Sequence, residues 1–225
     1  MMKIGMLLFL VLSVIDNVAQ PVQLKNEALH ASKVEMSFTN LKGKMVVRVA
    51  KDTTVKDIDE ATFAKLNNMV FEDGTIEVKV LSRLLKTAKP DDRGFIGVAF
   101  RINEDNSKFE CFYIRPTNGR ADQQIRRNHA TQYFSFPDYK FFRLRKESPE
   151  MYESYADMGL DEWIQLKIVV KGKKASLFVN NARQPALIVN DLKHGDKLKG
   201  SVGLFVDVGT EGFFSDLKIS HMSSN

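Results

Sequence analysis

The chain has 225 residues but only one cysteine, one tryptophan, six prolines and four histidines. A single cysteine closes no disulfide within the chain and builds no cysteine-based zinc site. There is no G-x-S-x-G elbow, no Walker loop and no H-E-x-x-H pair, so those three chemistries are excluded. No two histidines have metal-ligand spacing. The E-x-D-x-x-E run that would put acids on alternate positions of one strand is missing. Retaining glycosidases hold such a pair roughly 5 Å apart. The nearest acidic cluster is Asp57-Ile58-Asp59-Glu60, in a polar stretch without a flanking strand. The longest apolar run, Ile4 to Ile15, is about twelve residues, short of the roughly 20 that span a bilayer.

What is present is an ordinary globular composition, 44% apolar and 27% charged with a net charge of +5. Lys3, the apolar run and the small Ala19 together read as a secretory leader over residues 1–19. The alternative is a buried N-terminal strand or helix. No cysteine follows the run, so a lipoprotein anchor is not expected. Export without disulfides points to a bacterial periplasm or exterior. Residues 20–225 are then expected to form one domain, monomeric and without a membrane span.

Beyond the leader the hydrophobic pattern alternates. Strands are expected at Val34–Phe38, Lys44–Ala50, Gly74–Leu81, Gly94–Asn103, Ser107–Pro116, Thr131–Phe136, Trp163–Lys171, Lys173–Asn180, Ala186–Val189, Ser201–Val208 and Phe213–Ser220. One helical turn is expected near Asp59–Leu66. Many short strands at regular spacing, with no βαβ alternation, argue for an all-β, two-sheet antiparallel sandwich. Residues 117–160 break the rhythm and are expected to form a long loop or a short helix, a length that usually carries function.

That excursion lies within a charged region. Between 111 and 146 there are eight basic residues, Arg115, Arg120, Arg126, Arg127, Lys140, Arg143, Arg145 and Lys146, against Asp122 and Asp138 alone. Aromatic residues interleave with them, Tyr113, Tyr133 and Tyr139 among them. Such a mixture suits nucleic acid, sugar or a plain solvated face; export from the cytoplasm argues against nucleic acid. In the strand Gly94–Asn103, Ile96, Val98, Phe100 and Ile102 are expected to face the core. Gly97, Ala99 and Cys111 would then line a shallow groove beside Arg101, Tyr113 and Arg115. His129 is the one histidine in the region. It suits a general base or a structural hydrogen bond equally.

Several runs also carry a family resemblance: FYIRPTNGR (112–120), RRNHATQYFSFPDY (126–139), EWIQLKIVVKGKKASLFVN (162–180) and GSVGLFVDVGTEGFFSDLKIS (200–220). They resemble bacterial secreted domains of the concanavalin A-like lectin/glucanase superfamily, laminin-G-like jelly rolls near the 3-keto-disaccharide hydrolase-like group. The resemblance covers about residues 30–221 and implies a jelly roll that binds a glycan or sugar derivative. It implies Tyr113, Arg115, Asn118, Arg126, His129 and Gln132 as groove residues, with Arg101 and Tyr139 beside them. Two alternatives stay open. One is a keto-sugar hydrolase or lyase with His129 as base and Arg127 or Arg115 as oxyanion stabiliser. The other is a laminin-G-like protein-interaction module. Calcium held by loop oxygens is common in the superfamily, so a divalent metal such as calcium also stays open.

Overall fold

A computed structural model of the chain describes residues 19–222. The expected leader therefore lies outside the described residues, Ala19 excepted. In chain order the strands are β1 (Gln20–Pro21), β2 (Leu29–Ser32), β3 (Val34–Leu41), β4 (Lys44–Lys51), β5 (Phe63–Leu66), β6 (Gly74–Leu84), β7 (Ile96–Ile102), β8 (Phe109–Ile114), β9 (Thr131–Phe136), β10 (Glu153–Ser154), β11 (Ile164–Lys171), β12 (Lys174–Val179), β13 (Leu187–Val189), β14 (Ser201–Val206) and β15 (Thr210–His221). Three short helices, α1 (Pro116–Gly119), α2 (Gln124–Asn128) and α3 (Phe141–Glu147), interrupt the second half of β8–β10. Among the described residues, no helix is long and apolar enough to cross a membrane.

The strands form two antiparallel sheets. One runs β13-β12-β11-β6-β15-β4-β3, with β1 added against β15; the other runs β10-β9-β8-β7-β14-β5-β2. This is the two-sheet sandwich the alternating pattern predicts. In β6, Ile76, Val78 and Val80 are buried while Lys79 is exposed, the period of two expected for a half-buried strand. In the second sheet Ile96 and Val206 face across to β15, where a Cβ on Gly212 would meet both side chains. One set of alternating residues therefore fills the space between the sheets.

The structure differs from the sequence reading at one place that matters for the site. The stretch Asp59–Leu66 does not hold a helical turn. Phe63–Leu66 is β5, paired with β14 through Phe63↔Phe205 and Ala64↔Leu204 and with β2 on its other side. A four-residue strand is too short for its period to stand out in sequence. The 117–160 excursion is both loop and helix, as expected, and it folds over the end of the second sheet, where its residues line a cavity. The Phe141 N–H donates to Asp59 Oδ2 at 2.7 Å, and Lys140 Nζ donates to the Ile58 carbonyl at 3.1 Å and to Glu60 Oε1 at 2.7 Å.

The strand faces are as the alternation implies: Gly97 lies opposite Tyr113, and Ala99 opposite Cys111. The surface between them is not an open groove. Ala99 and Cys111 are fully buried, and large rings from neighbouring strands close over that face. Tyr113 stacks on Phe205 with centroids 5.7 Å apart, and Phe134 packs on Phe205 at 5.5 Å. The Phe95–Arg115 end stays accessible.

Gly97 permits this packing. A Cβ there would lie 2.1 Å from the Phe112 carbonyl oxygen and 2.5 Å from Tyr113 Cα. Gly97→Ala is expected to push β7 from β8 and lower stability by about 1–3 kcal/mol or more, read as a fall in the urea unfolding midpoint. An unchanged midpoint would contradict the close approach.

Candidate functional site

A cavity of about 480 Å³ opens at the accessible end of the second sheet, within the roughly 300–1,000 Å³ of typical small-ligand sites. Its walls come from five parts of the chain. The 52–62 segment gives Ile58 and Asp59, and the turn before β7 gives Asp92, Arg93 and Phe95. The β8–α2 stretch gives Tyr113, Arg115, Asn118, Arg126 and His129. Phe141 and Arg145 of α3 and the Asp207-Val208 turn complete it.

One wall is a buried ionic network. Arg115 Nη1 donates to Glu153 Oε1 at 3.1 Å and to the His129 carbonyl at 3.0 Å. Its Nη2 donates to Tyr113 Oη and to Gln132 Oε1, both at 2.9 Å. Arg145 grips the same Glu153 through Nε at 2.8 Å and through Nη2. His129 Nδ1 lies 3.0 Å from Glu153 Oε2 but off the line a hydrogen bond needs, so this is an electrostatic contact. Burial opposes ionisation of Glu153, yet the hydrogen bonds from Arg145 and the charges of Arg115 and Arg145 outweigh it and hold the carboxyl below its ordinary range. Burial, with Arg145 and Arg115 nearby, depresses the imidazole of His129 despite Glu153. His129 is therefore neutral near pH 7.

The floor is acidic. Asp207 Oδ1 accepts from Lys51 Nζ at 2.6 Å, and its Oδ2 accepts from the Asp59 N–H at 2.8 Å. Asp59 is 1% exposed and sits at positive φ, +50°. Burial first, and then the charge of Asp207, pushes its carboxyl up to about 7. Burial likewise holds the Tyr113 phenol well above its usual range.

These contacts sort the residues singled out in the sequence. Tyr113, Arg115, Asn118, Arg126 and His129 come together around the cavity. Gln132 stands behind it, fully buried, with its amide donating to the Tyr133 and Tyr152 carbonyls. Arg127 does not line the cavity; it stacks on Tyr155, 4.9 Å from the ring centroid. Tyr139 lies under Arg143 at 4.3 Å, also outside. Arg101 is at the far end of β7, where the β7–β14 register shifts and its own φ is +53°. It is fully buried and donates to the carbonyls of Glu72, Gly195 and Gly172 and to Asp73. That break in register turns Arg101 away from the groove that strict alternation assigned to it.

Sequence reasoning missed Asp59, Asp207 and Glu153, while Phe95 lies on the strand face that alternation gives it. Asp59 sat in the acidic cluster set aside for want of a strand, and β5, which begins four residues later, is the strand that places it. Among the described residues, no three His, Cys, Asp or Glu side chains converge to hold a metal, and the Asp207 oxygens are already engaged.

Solved structures show where the fold belongs. The carbohydrate-binding module CBM66 from Bacillus subtilis matches 84% of this chain and 96% of its own length, with a TM-score of 0.54 and 11% identity. The exoplasmic/lumenal domain of VIP36, in its Ca²⁺/Man3GlcNAc-bound form, matches 93% and 92%, at TM-score 0.53 and 6% identity. A Bacillus subtilis protein of unknown function with a galectin-like fold matches 91% and 94%, at TM-score 0.50 and 12% identity. No protein-family model matches this chain, and no curated protein does. At such identities the likeness is one of fold, and the fold is the concanavalin A-like jelly roll.

Proposed function

We propose that this domain binds carbohydrate in the cavity at the Phe95–Arg115 end of the second sheet. The observation that carries the reading is the make-up of that cavity. It holds the rings of Phe95, Tyr113 and Phe141 beside carboxyl, amide and guanidinium groups. Rings cover the C–H faces of a sugar, and the polar groups bond its hydroxyls. The fold is shared with a carbohydrate-binding module and with a glycan-bound lectin domain, which supports the reading by analogy. A leader over residues 1–19 would deliver the domain to the cell exterior or periplasm, where such glycans are met.

The test is a thermal-shift screen of the chain against neutral, acidic and keto-sugar oligosaccharides, repeated on Val208→Trp. Val208 is a partly exposed rim residue, so a large ring there blocks the cavity with little effect on the core. A bound oligosaccharide raises the melting temperature by mass action. The shift is expected to disappear in Val208→Trp, with affinity down at least tenfold. An unchanged shift would place the site elsewhere.

A second reading is favoured by one observation. His129 is a neutral imidazole on the cavity wall with the Glu153 carboxylate 3.0 Å from its Nδ1, and a neutral imidazole can serve as a base. On a keto-sugar, the imidazole would take the proton from the carbon beside the ketone. The electron pair would then expel the β-linked alkoxide, which is reprotonated as the free alcohol. Arg126 or Arg115, not Arg127, is then the guanidinium at hand. Release of the alcohol from a 3-keto-disaccharide, lost in His129→Gln, is the expected result; no release leaves binding alone.

A further inference from the structure

Most polar groups around the cavity are already engaged. Arg115 and Arg145 are taken up by Glu153. Arg93 donates to the Pro90 carbonyl and to Asp91, and Arg126 donates to Asn118 and Thr117. Asp207 has both oxygens filled. Two groups on the floor differ. Asp59 uses Oδ2 for the Phe141 N–H, but its Oδ1 has no partner among the described residues and is not sealed from the cavity. Tyr113 accepts from Arg115, and its own hydroxyl proton has no acceptor among the described residues. Both side chains are almost completely buried. They are therefore held in place without a matching partner, which in a protein interior is costly unless a ligand supplies one.

We propose that Asp59 and Tyr113 are the specificity-determining pair of this cavity: Asp59 Oδ1 accepts from, and the Tyr113 hydroxyl donates to, hydroxyls of a neutral sugar, and a sugar bearing a carboxylate at that end is rejected. This rests on the carbohydrate reading above. The basic composition of 111–146 argues superficially for an acidic sugar, but those cations are bonded within the protein. The unmatched charge at the floor is negative, with Asp207 beside it. Asp207 is balanced by Lys51, so a ligand carboxylate there would meet the unpaired charge of ionised Asp59, whereas a hydroxyl gains a charge-assisted bond to it. Ionised Asp59 is the accepting form, so affinity is expected to weaken as pH falls below about 7. The titratable or charged groups around Asp59 are Asp207 with its partner Lys51, Arg115, Arg145, Lys140, Tyr113 and Cys111, and their arrangement is common to all the variants below except where Tyr113 is replaced.

The experiment is calorimetric titration of the chain at about pH 8 with neutral β-1,4-linked gluco-, manno- and galacto-oligosaccharides and with oligogalacturonate and oligomannuronate. At least one neutral series is expected to bind at least tenfold more tightly than either uronate. Asp59→Asn keeps an acceptor for the Phe141 N–H and so keeps the fold. It is expected to reduce the discrimination at least tenfold. Tyr113→Phe should weaken the neutral ligand about tenfold with no gain for the uronates. Uronates binding as tightly as neutral sugars in the parent chain, or discrimination unchanged in Asp59→Asn, would overturn the proposal while leaving the cavity a sugar site. Failure of every series to bind would remove the carbohydrate reading and this assignment with it.

Discussion

Asp59→Asn is expected to stabilise the chain by about 1 kcal/mol at about pH 4.5 and by up to about 4 kcal/mol at about pH 8. The folded carboxyl keeps its proton to about 7, against 3.8 when unfolded. Between those values the unfolded chain binds fewer protons than the folded one, so this residue makes stability fall as pH rises. Above about 7 the loss is complete and level. At about 1.4 kcal/mol per pH unit, the upper bound on the cost is about 4 kcal/mol. Asparagine has the shape of the protonated acid and pays no such cost. Other groups act with opposite sign. His129, depressed from 6.5, adds stability as pH rises toward 6.5. Glu153, held below 4.5, loses its contribution as pH falls below that value. The difference between the parent and Asp59→Asn urea curves at the two pH values isolates Asp59. A difference that does not grow between them would show that the Asp59 carboxyl ionises in the fold as freely as in water.

Removing Glu153 is expected to cost more than removing any surface charge of the domain. Its side chain is 3% exposed and lies within 3.1 Å of Arg115, itself 5% exposed. Glu153→Ala strands a buried guanidinium, a loss of about 3–5 kcal/mol. Arg145→Ala removes a partner of the same carboxylate, but one with its side chain 40% exposed. Its cost should stay near or below about 1 kcal/mol. The contrast between the two is the test, read from unfolding free energies at about pH 7. Equal losses would mean that Arg115 finds another partner or water when Glu153 is gone. Because Arg115 also holds the Tyr113 hydroxyl, Glu153→Ala should loosen the cavity wall as well as the fold.

The sheets were readable because burial on one side imposes a period of two. Thr131–Phe136 was placed to the residue, and most other strand ends fell within a few positions. The short β2 and β5 were not readable, since four residues give too little alternation to separate from a turn. The cavity was half readable. Tyr113, Arg115, Asn118, Arg126 and His129 belong to one continuous stretch of basic and aromatic character, and that composition marks them. Asp59 and Asp207 lie 148 residues apart. Only pairing of β5 with β14 brings them together, and no local pattern announces it. Composition also misled. A concentration of arginine suggests unsatisfied positive charge, whereas burial here has matched Arg115 and Arg145 to Glu153. The one unmatched side-chain oxygen on the floor belongs to an acid.

The pairing of β1 with β15 fixes how the domain can be tethered. Gln20 lies opposite Ile219, His221 lies opposite Gly74, and the Met222 N–H bonds the Asp73 carbonyl. Gln20 and Met222 therefore lie side by side, at the end of the sandwich locked by Arg101 on Asp73. The cavity lies at the other end, by Val208, just before β15 begins. A strand of that length spans about 35–40 Å at about 3.3 Å per residue. Any anchor, neighbouring module or surface joined to either terminus would pull on the Arg101 end and leave the cavity mouth pointing outward, free to meet a polymer too large to diffuse to it.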